Sequence, residues 1–274
     1  MKMKRLILSM MCCAFLCAPS FGQDSKAIKA QPMLADNQSN TESNARVSNS
    51  SVEPQQAESV YVVKRTDDFK VTGDGSNKNW EKAAWLPLPQ RRPTEIDLSR
   101  ATKVKMLYSP TGVYCLADCP DKKISSTMEA DFLDLWNEDV VEVFFWTDEA
   151  FPVYFEYEIS PLNYELPILI SNYDGNLVRW QPFHYDADRL TQHAVTIRGG
   201  EQKPQASITG WTTEFFIPYS LLRPMNNIFP KPGSKWRANF YRIDYDDGTT
   251  KSWSWQLTQR NFHDYQRFGT LLFE

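Results

Sequence analysis

Trp136 stands six residues before Glu142, at the edge of the most apolar run downstream of residue 58, Val140 to Trp146. A flat indole ring beside a carboxylate is what holds a sugar: the ring packs on the C–H face and the carboxylate accepts hydroxyl hydrogens. Period-two alternation puts Trp136, Glu138, Val140 and Glu142 on one face and Val141, Val143 and Phe145 on the other. A carboxylate inside such a run must be paired or must meet a polar ligand, because an unpartnered buried charge is costly. An ordinary core strand with a hydrogen-bonded Glu142 would give the same pattern. Trp253-Ser254-Trp255 alternates as well, so both rings project to one side of an extended segment and could clamp a sugar ring. Taken singly, each tryptophan is equally a core residue.

Other chemistry is less well supported. A glycoside hydrolase needs two carboxylates on one face at a set separation. Glu138 and Glu142 would lie about 13 Å apart along a strand, too far even for an inverting enzyme. Glu156 and Glu158 would be about 6.6 Å apart, so distance leaves that pair open. Their strand carries Val153, Phe155, Tyr157 and Ile159 on its opposite face, the pattern of a half-exposed strand with both glutamates in water. His184, His193 and His263 have no zinc-site spacing, and neither a nucleophile elbow nor a phosphate-cradling glycine loop occurs. Asp67, Asp68, Asp74, Asp244, Asp246 and Asp247 offer hard oxygen ligands in turns, without an ordered calcium-loop spacing.

The elements that must position these residues are mostly strands. Alternating or β-branched runs predict strands at 60–64, 102–108, 113–118, 140–146, 153–159, 166–171, 193–198, 211–217, 235–243 and 268–273. Turn signals such as Ser109-Pro110-Thr111-Gly112 and Tyr173-Asp174-Gly175-Asn176 separate them. Helical patterning is confined to Asn79–Trp85 and Tyr219–Leu222. The expected fold is all-β: an antiparallel β-sandwich of two packed sheets, immunoglobulin- or jelly-roll-like, with one or two short helices.

Three segments follow from composition. Residues 1–22 read as a secretory signal peptide: a basic start, an apolar run from Leu6 to Ala18, and small residues before a cut after Gly22. Lipidation of Cys17 is the competing reading, disfavoured by the bulky Leu16 before it. Residues 23–58 are rich in Ser, Asn and Gln and poor in large apolar residues, as expected of a disordered tether. Residues 59–274 are enough for one domain with a sizeable core. With that signal peptide the expected location is exported: periplasmic, cell-surface or extracellular; the apolar runs are too short to form a transmembrane helix. Cys115 and Cys119, four apart in a strand, cannot bridge and read as small buried hydrophobes. The formal net charge of −4, with basic residues scattered, argues against nucleic acid as a partner.

Several motifs, in order, carry a resemblance. They are Val71-Thr72-Gly73-Asp74-Gly75 with Trp80 and Ala83-Ala84-Trp85, then Trp136-Asn137-Glu138-Asp139-Val140-Val141-Glu142, then Phe155-Glu156-Tyr157-Glu158-Ile159-Ser160-Pro161. Trp211 to Pro218, Trp236 to Arg242, Asn261-Phe262-His263-Asp264 and Phe268-Gly269-Thr270-Leu271 complete the series. Together they resemble the family 9 carbohydrate-binding module in its exported single-module form, over residues 60–274. The resemblance implies a non-catalytic sandwich holding a terminal sugar ring between two tryptophans. It assigns Trp136 and Glu142 to the ligand, with Trp255 as the second tryptophan and Trp253 in reserve; Ser252 stands where the family pattern has an asparagine. Asn239 and Arg242 are further candidates for hydroxyl contacts, although alternation puts them on opposite faces. It also implies a structural calcium ion, no catalytic cofactor, and an oligo- or polysaccharide partner. Association with glycan-degrading enzymes or outer-membrane uptake proteins, in glycan capture or polysaccharide catabolism, follows from the same likeness. The alternatives are a glycoside hydrolase acting on O-glycosyl bonds and a haem-carrying relative of the sandwich with methionine and histidine axial ligands.

Overall fold

A computed structural model describes residues 59–174 and 176–274. The signal peptide and tether expected over residues 1–58 lie outside the described residues. Thirteen strands run in the order β1 Val60–Arg65, β2 Leu86–Pro87, β3 Lys103–Tyr108, β4 Gly112–Pro120, β5 Val140–Trp146, β6 Val153–Ile159 and β7 Glu165–Tyr173. They continue as β8 Asn176–Pro182, β9 Gln192–Arg198, β10 Gly210–Pro218, β11 Lys235–Asp244, β12 Lys251–Ser254 and β13 Gly269–Phe273. All ten expected strands are present. No helix among the described residues is long and apolar enough to cross a membrane.

The strands form one mixed sheet, in the order β8-β7-β6-β5-β11-β13-β1-β3-β4-β10-β9, with β12 on β11 and β2 on β3 as side branches. This corrects the expectation of purely antiparallel pairing. The first strand is shared: Val60–Val63 run parallel to β13, and Lys64–Arg65 run parallel to β3. At the crossover the Arg65 N–H donates to the Glu274 carbonyl and the Thr66 N–H to the Tyr108 carbonyl, so the backbone stays paired as it changes neighbour. The two short helices expected over 79–85 and 219–222 are tighter features. Lys78–Lys82 is a 3₁₀ turn, and the second segment is a series of turns closed by Leu221 N–H to Pro218 O and Leu222 N–H to Tyr219 O. Pro218 and Pro224 bracket that second segment, and a run so short does not repay helix nucleation.

The sheet curls so that the inner faces of its two halves share one core. Val141, Val143, Phe145, Phe155 and Tyr157 from β5 and β6 belong to the same buried cluster as Cys115, Ala117, Phe215 and Ile217 from β4 and β10. The Tyr157 and Phe215 rings meet with centroids 4.8 Å apart. Cys115 and Cys119 are unbridged and buried. β5 is apolar on both faces because both are covered. Its outer face, with Val140, Phe144 and Trp146, packs in a second cluster with Leu135, Tyr241, Ile243 and Phe268 from flanking loops and β11.

Trp255 closes the core against β13, where a methyl group built on Gly269 would lie 2.5 Å from the indole ring. Gly269→Ala is expected to cost about 1–3 kcal/mol through overpacking. In urea unfolding this is read as a lower midpoint with an unchanged slope.

Candidate functional site

Alternation along β5 and β6 turns Glu142, Glu156 and Glu158 away from the main core, onto the outer face. Glu142 pairs directly with Glu158 in the antiparallel register, and Glu156 sits one pleat further along the same face. The half-exposed strand expected for Glu156 and Glu158 is not what the chain forms. Glu142, Glu156 and Glu158 are only 2%, 4% and 0% exposed, because loops distant in sequence cover this face. Both carboxyl oxygens of Glu158 and Oε2 of Glu156 are buried without a hydrogen-bond donor.

Burial pushes the Glu156 carboxyl up to about 8. It also raises Glu142 and Glu158 well above the usual carboxylate range, with the neighbouring carboxyls adding to the rise. Arg91 opposes the rise at Glu142. His263 supplies no compensating charge: burial lowers it to about 4, and its Nδ1 pairs with the Tyr154 hydroxyl at 2.7 Å while lying 3.9 Å from Glu156 Oε2.

A half-buried aromatic rim belongs to the same outer cluster. Trp136 rides on the 3₁₀ turn Leu135–Asn137 and meets Trp180 of β8 edge-on, with centroids 5.3 Å apart and planes at 79°. The Tyr245 hydroxyl donates to the Trp136 carbonyl at 2.7 Å, fixing that turn. Phe262 stacks on Tyr241 at 4.1 Å, and the Arg91 guanidinium lies over the Phe262 ring at 4.6 Å. Arg91 is held by the Thr258 hydroxyl at 2.8 Å and through its own N–H to the Ser252 carbonyl. Trp180 stands among the chain's tryptophans and Phe262 within Asn261-Phe262-His263-Asp264, but no spacing in the sequence assigns either of them, or Arg91, to the site. β8 is a largely exposed edge strand, and the other two sit in irregular loops.

The remaining candidates lie elsewhere or are already engaged. In the β11–β12 register Trp253 pairs with Arg242 and Ser254 with Tyr241, so Trp253 points inward, opposite to the face of Tyr241 and Glu142. Trp253 is buried beneath the Arg242 guanidinium, and Trp255 packs among Phe240 and Tyr61 in the main core. The structure therefore does not bring Trp136 together with Trp253 or Trp255. Asn239 faces outward but is buried and fully occupied. Its Nδ2 donates to the Tyr241 hydroxyl at 2.6 Å and the Gln256 carbonyl at 3.0 Å, and its Oδ1 accepts from the Gln256 N–H at 2.9 Å. Tyr241 in turn donates to the Phe262 carbonyl at 2.8 Å, so Asn239 positions the rim rather than facing solvent. Arg242 is buried on the inward side, paired with Asp121 at 2.8 Å and Asp244 at 3.0 Å.

That pairing is part of a second acidic group. Carboxyl oxygens of Asp121, Asp139 and Asp246 lie within 4.8 Å of one another, all buried. Arg100 pairs with Asp244 at 2.9 Å and Asp246 at 3.1 Å. Four carboxyl groups thus face two guanidiniums, so acids outnumber bases even with Asp139 protonated. Burial, reinforced by Asp121, raises the Asp139 carboxyl to about 8. Hard oxygens with net negative charge fit a calcium ion. Of the acidic turns singled out in the sequence, Asp244 and Asp246 join this group, whereas Asp74 bonds the Thr72 hydroxyl and Asp68 the Thr111 hydroxyl. Asp121 and Asp139 enter from other elements.

Known proteins share this family and this fold. The model of the carbohydrate family 9 binding domain-like family matches residues 71–274. A provisionally assigned carbohydrate-binding protein from Bacteroides uniformis shares the fold, with a TM-score of 0.66 at 15% identity over 80% of this chain and 100% of that one. A family 9 carbohydrate-binding module from Caldicellulosiruptor kristjanssonii, solved with cellotriose, has a TM-score of 0.55 at 14% identity over 79% of this chain and 94% of that one. The same module with glucose gives 0.55 and 14%, over 79% and 96%. An extracellular protein of Arthroderma benhamiae is 29% identical over 147 residues, 51% of this chain and 63% of that relative's length. This chain therefore belongs to the carbohydrate family 9 binding domain-like family.

Proposed function

We propose that this chain is a non-catalytic carbohydrate-binding module whose sugar site is the outer face of β5–β8. The observation that carries the reading is the aromatic rim of Trp136, Trp180 and Phe262 beside Glu142 and Arg91, in a chain of this family. In this reading Trp136 packs on the C–H face of a sugar ring. Glu142 and Arg91 exchange hydrogen bonds with its hydroxyls. Phe262 and Trp180 take the part that the family likeness gives to a second tryptophan, and Trp253 and Trp255 hold the core behind the site. The curled sheet is read as the family's two-layer sandwich. The cellotriose and glucose bound by the Caldicellulosiruptor module support a gluco-oligosaccharide, held at a chain end, as the ligand.

The extracellular Arthroderma relative supports export, so the module serves glycan capture or polysaccharide catabolism outside the cytoplasm, beside glycan-degrading enzymes or uptake proteins. Asp121, Asp139 and Asp246 hold a structural calcium ion in the same reading, their surplus charge being the support.

Two outcomes are expected. Trp136→Ala should weaken cellotriose binding by about 2 kcal/mol or more in isothermal titration of the full chain; a folded variant with undiminished affinity would sink the sugar reading. Calcium at about a hundred times its dissociation constant should stabilise the chain by about 2.7 kcal/mol, seen as a higher melting temperature. Asp139→Asn should abolish that shift, and a melting temperature indifferent to calcium and chelator would remove the ion from the account.

A further inference from the structure

The outer-face glutamates raise a question that neutral-sugar binding leaves unanswered. Three carboxyls share one buried patch, yet the protein offers them almost no donors. Both oxygens of Glu158 and Oε2 of Glu156 accept from no N–H or hydroxyl, and the hydrogen bond between Glu156 and Glu158 is carboxyl to carboxyl. The surrounding groups are committed elsewhere: Tyr241 donates to Phe262 O, Tyr245 to Trp136 O, and the neutral His263 to or from Tyr154. Arg91, which acts on Glu142, is the nearby cation, and Asp134 adds further negative field at Glu158.

Buried acceptors without donors are costly to keep. The carboxyls meet this by holding their own protons, so what the patch lacks for their ionised form is positive charge. A metal ion fits poorly, because the three glutamates do not bring their oxygens within the 4.8 Å that the aspartate cluster achieves. A sugar hydroxyl brings one hydrogen and no charge. A primary ammonium brings three hydrogens and a full charge. The rim is suited to such a group, since aromatic faces attract cations and Phe262 already carries the Arg91 guanidinium.

We propose that the site recognises an amino sugar with a free ammonium group, which Glu158 and at least one of Glu142 and Glu156 receive beneath the Trp136 rim. This rests on the carbohydrate-binding reading above and specifies its ligand class. Because the carboxyls are covered, admitting the sugar requires the Leu135–Asn137 turn to give up its bond from the Tyr245 hydroxyl and move outward. Binding replaces carboxyl protons with the ammonium, so protons leave the protein as the ligand enters.

The test is titration calorimetry of the full chain near neutral pH with three β-1,4-linked disaccharides that differ at carbon 2. These are cellobiose, with a hydroxyl; the glucosamine disaccharide, with free amines; and its diacetylated form. The amine is expected to bind about tenfold or more tighter than cellobiose, the size of one charge-assisted hydrogen bond. Repetition in buffers of different ionisation enthalpy should show proton release for the amine, beyond its own titration, and little for cellobiose. In Glu158→Gln, and separately in Glu142→Gln, the ratio of the two affinities should fall toward one, with near-ultraviolet circular dichroism reporting a retained fold. Cellobiose binding as tightly as the amine, or an amine preference unchanged in both variants, would overturn the amino-sugar assignment alone. Binding of no sugar by a folded chain would overturn the carbohydrate reading on which it rests.

Discussion

Two buried arginines tie the strand ends together, and the geometry of the outer face depends on them. Arg242 binds Asp121, Asp244, the Pro120 carbonyl and the Thr102 hydroxyl, and so joins the end of β4, the start of β3 and the end of β11. Arg100 extends the network to Asp246. Removing one partner from a buried charge network typically costs about 3–5 kcal/mol, because the other charge remains stranded out of water. From there the order passes outward. Asp139 accepts from the backbone N–H groups of Ser125 and Tyr245, and Tyr245 fixes the Trp136 carbonyl. The tryptophan at the rim is therefore placed through Tyr245 by a buried polar network.

A similar relay works from the other edge. Asn239 spends its whole side chain on Tyr241 and on the backbone at Gln256, and Tyr241 holds the Phe262 carbonyl while its ring supports the Phe262 ring. An asparagine that resembles a ligand contact by position thus acts one layer below the rim. The spacing of the rim depends on both relays, which are made of buried polar groups bonded to one another, with Arg242 Nε left without a partner. Groups of that kind give a unique arrangement at the cost of some stability.

Strand positions were legible because alternation is a local property. β5 to β7, β10 and β11 carry runs of β-branched and aromatic residues that are buried over almost their whole length, and the expected ranges agree with the structure to within a few residues at their ends. β8 and β12 were not legible: one is a largely exposed edge strand and the other a four-residue branch. Glu156 and Glu158 show the limit more sharply. Their alternating strand reads as half-exposed, yet their cover comes from loops around Trp136, Tyr245 and Phe262, which no local pattern links to β6. The convergence of Asp121, Asp139 and Asp246 was hidden for the same reason, each lying at the end of a different strand or turn. Trp136 and Glu142 could be picked out as a pair because their spacing is short and lies within one loop and its strand. Trp253 and Trp255 alternate as expected, but the face they share is the interior.

The shared first strand has a kinetic consequence. β1 sits in the middle of the sheet, flanked on one side by β13, so that Val60 lies beside Thr270 and the beginning of the described fold waits for its end. A parallel pairing between such distant segments closes a very long loop before any contact rewards it, and topologies dominated by such pairings fold slowly. A growing chain can assemble β5 to β8 early, since those strands are consecutive neighbours, but it cannot join the two halves of the sheet through β1 until the last strand has been synthesised. The domain can therefore complete its architecture only once β13 is available to pair with β1.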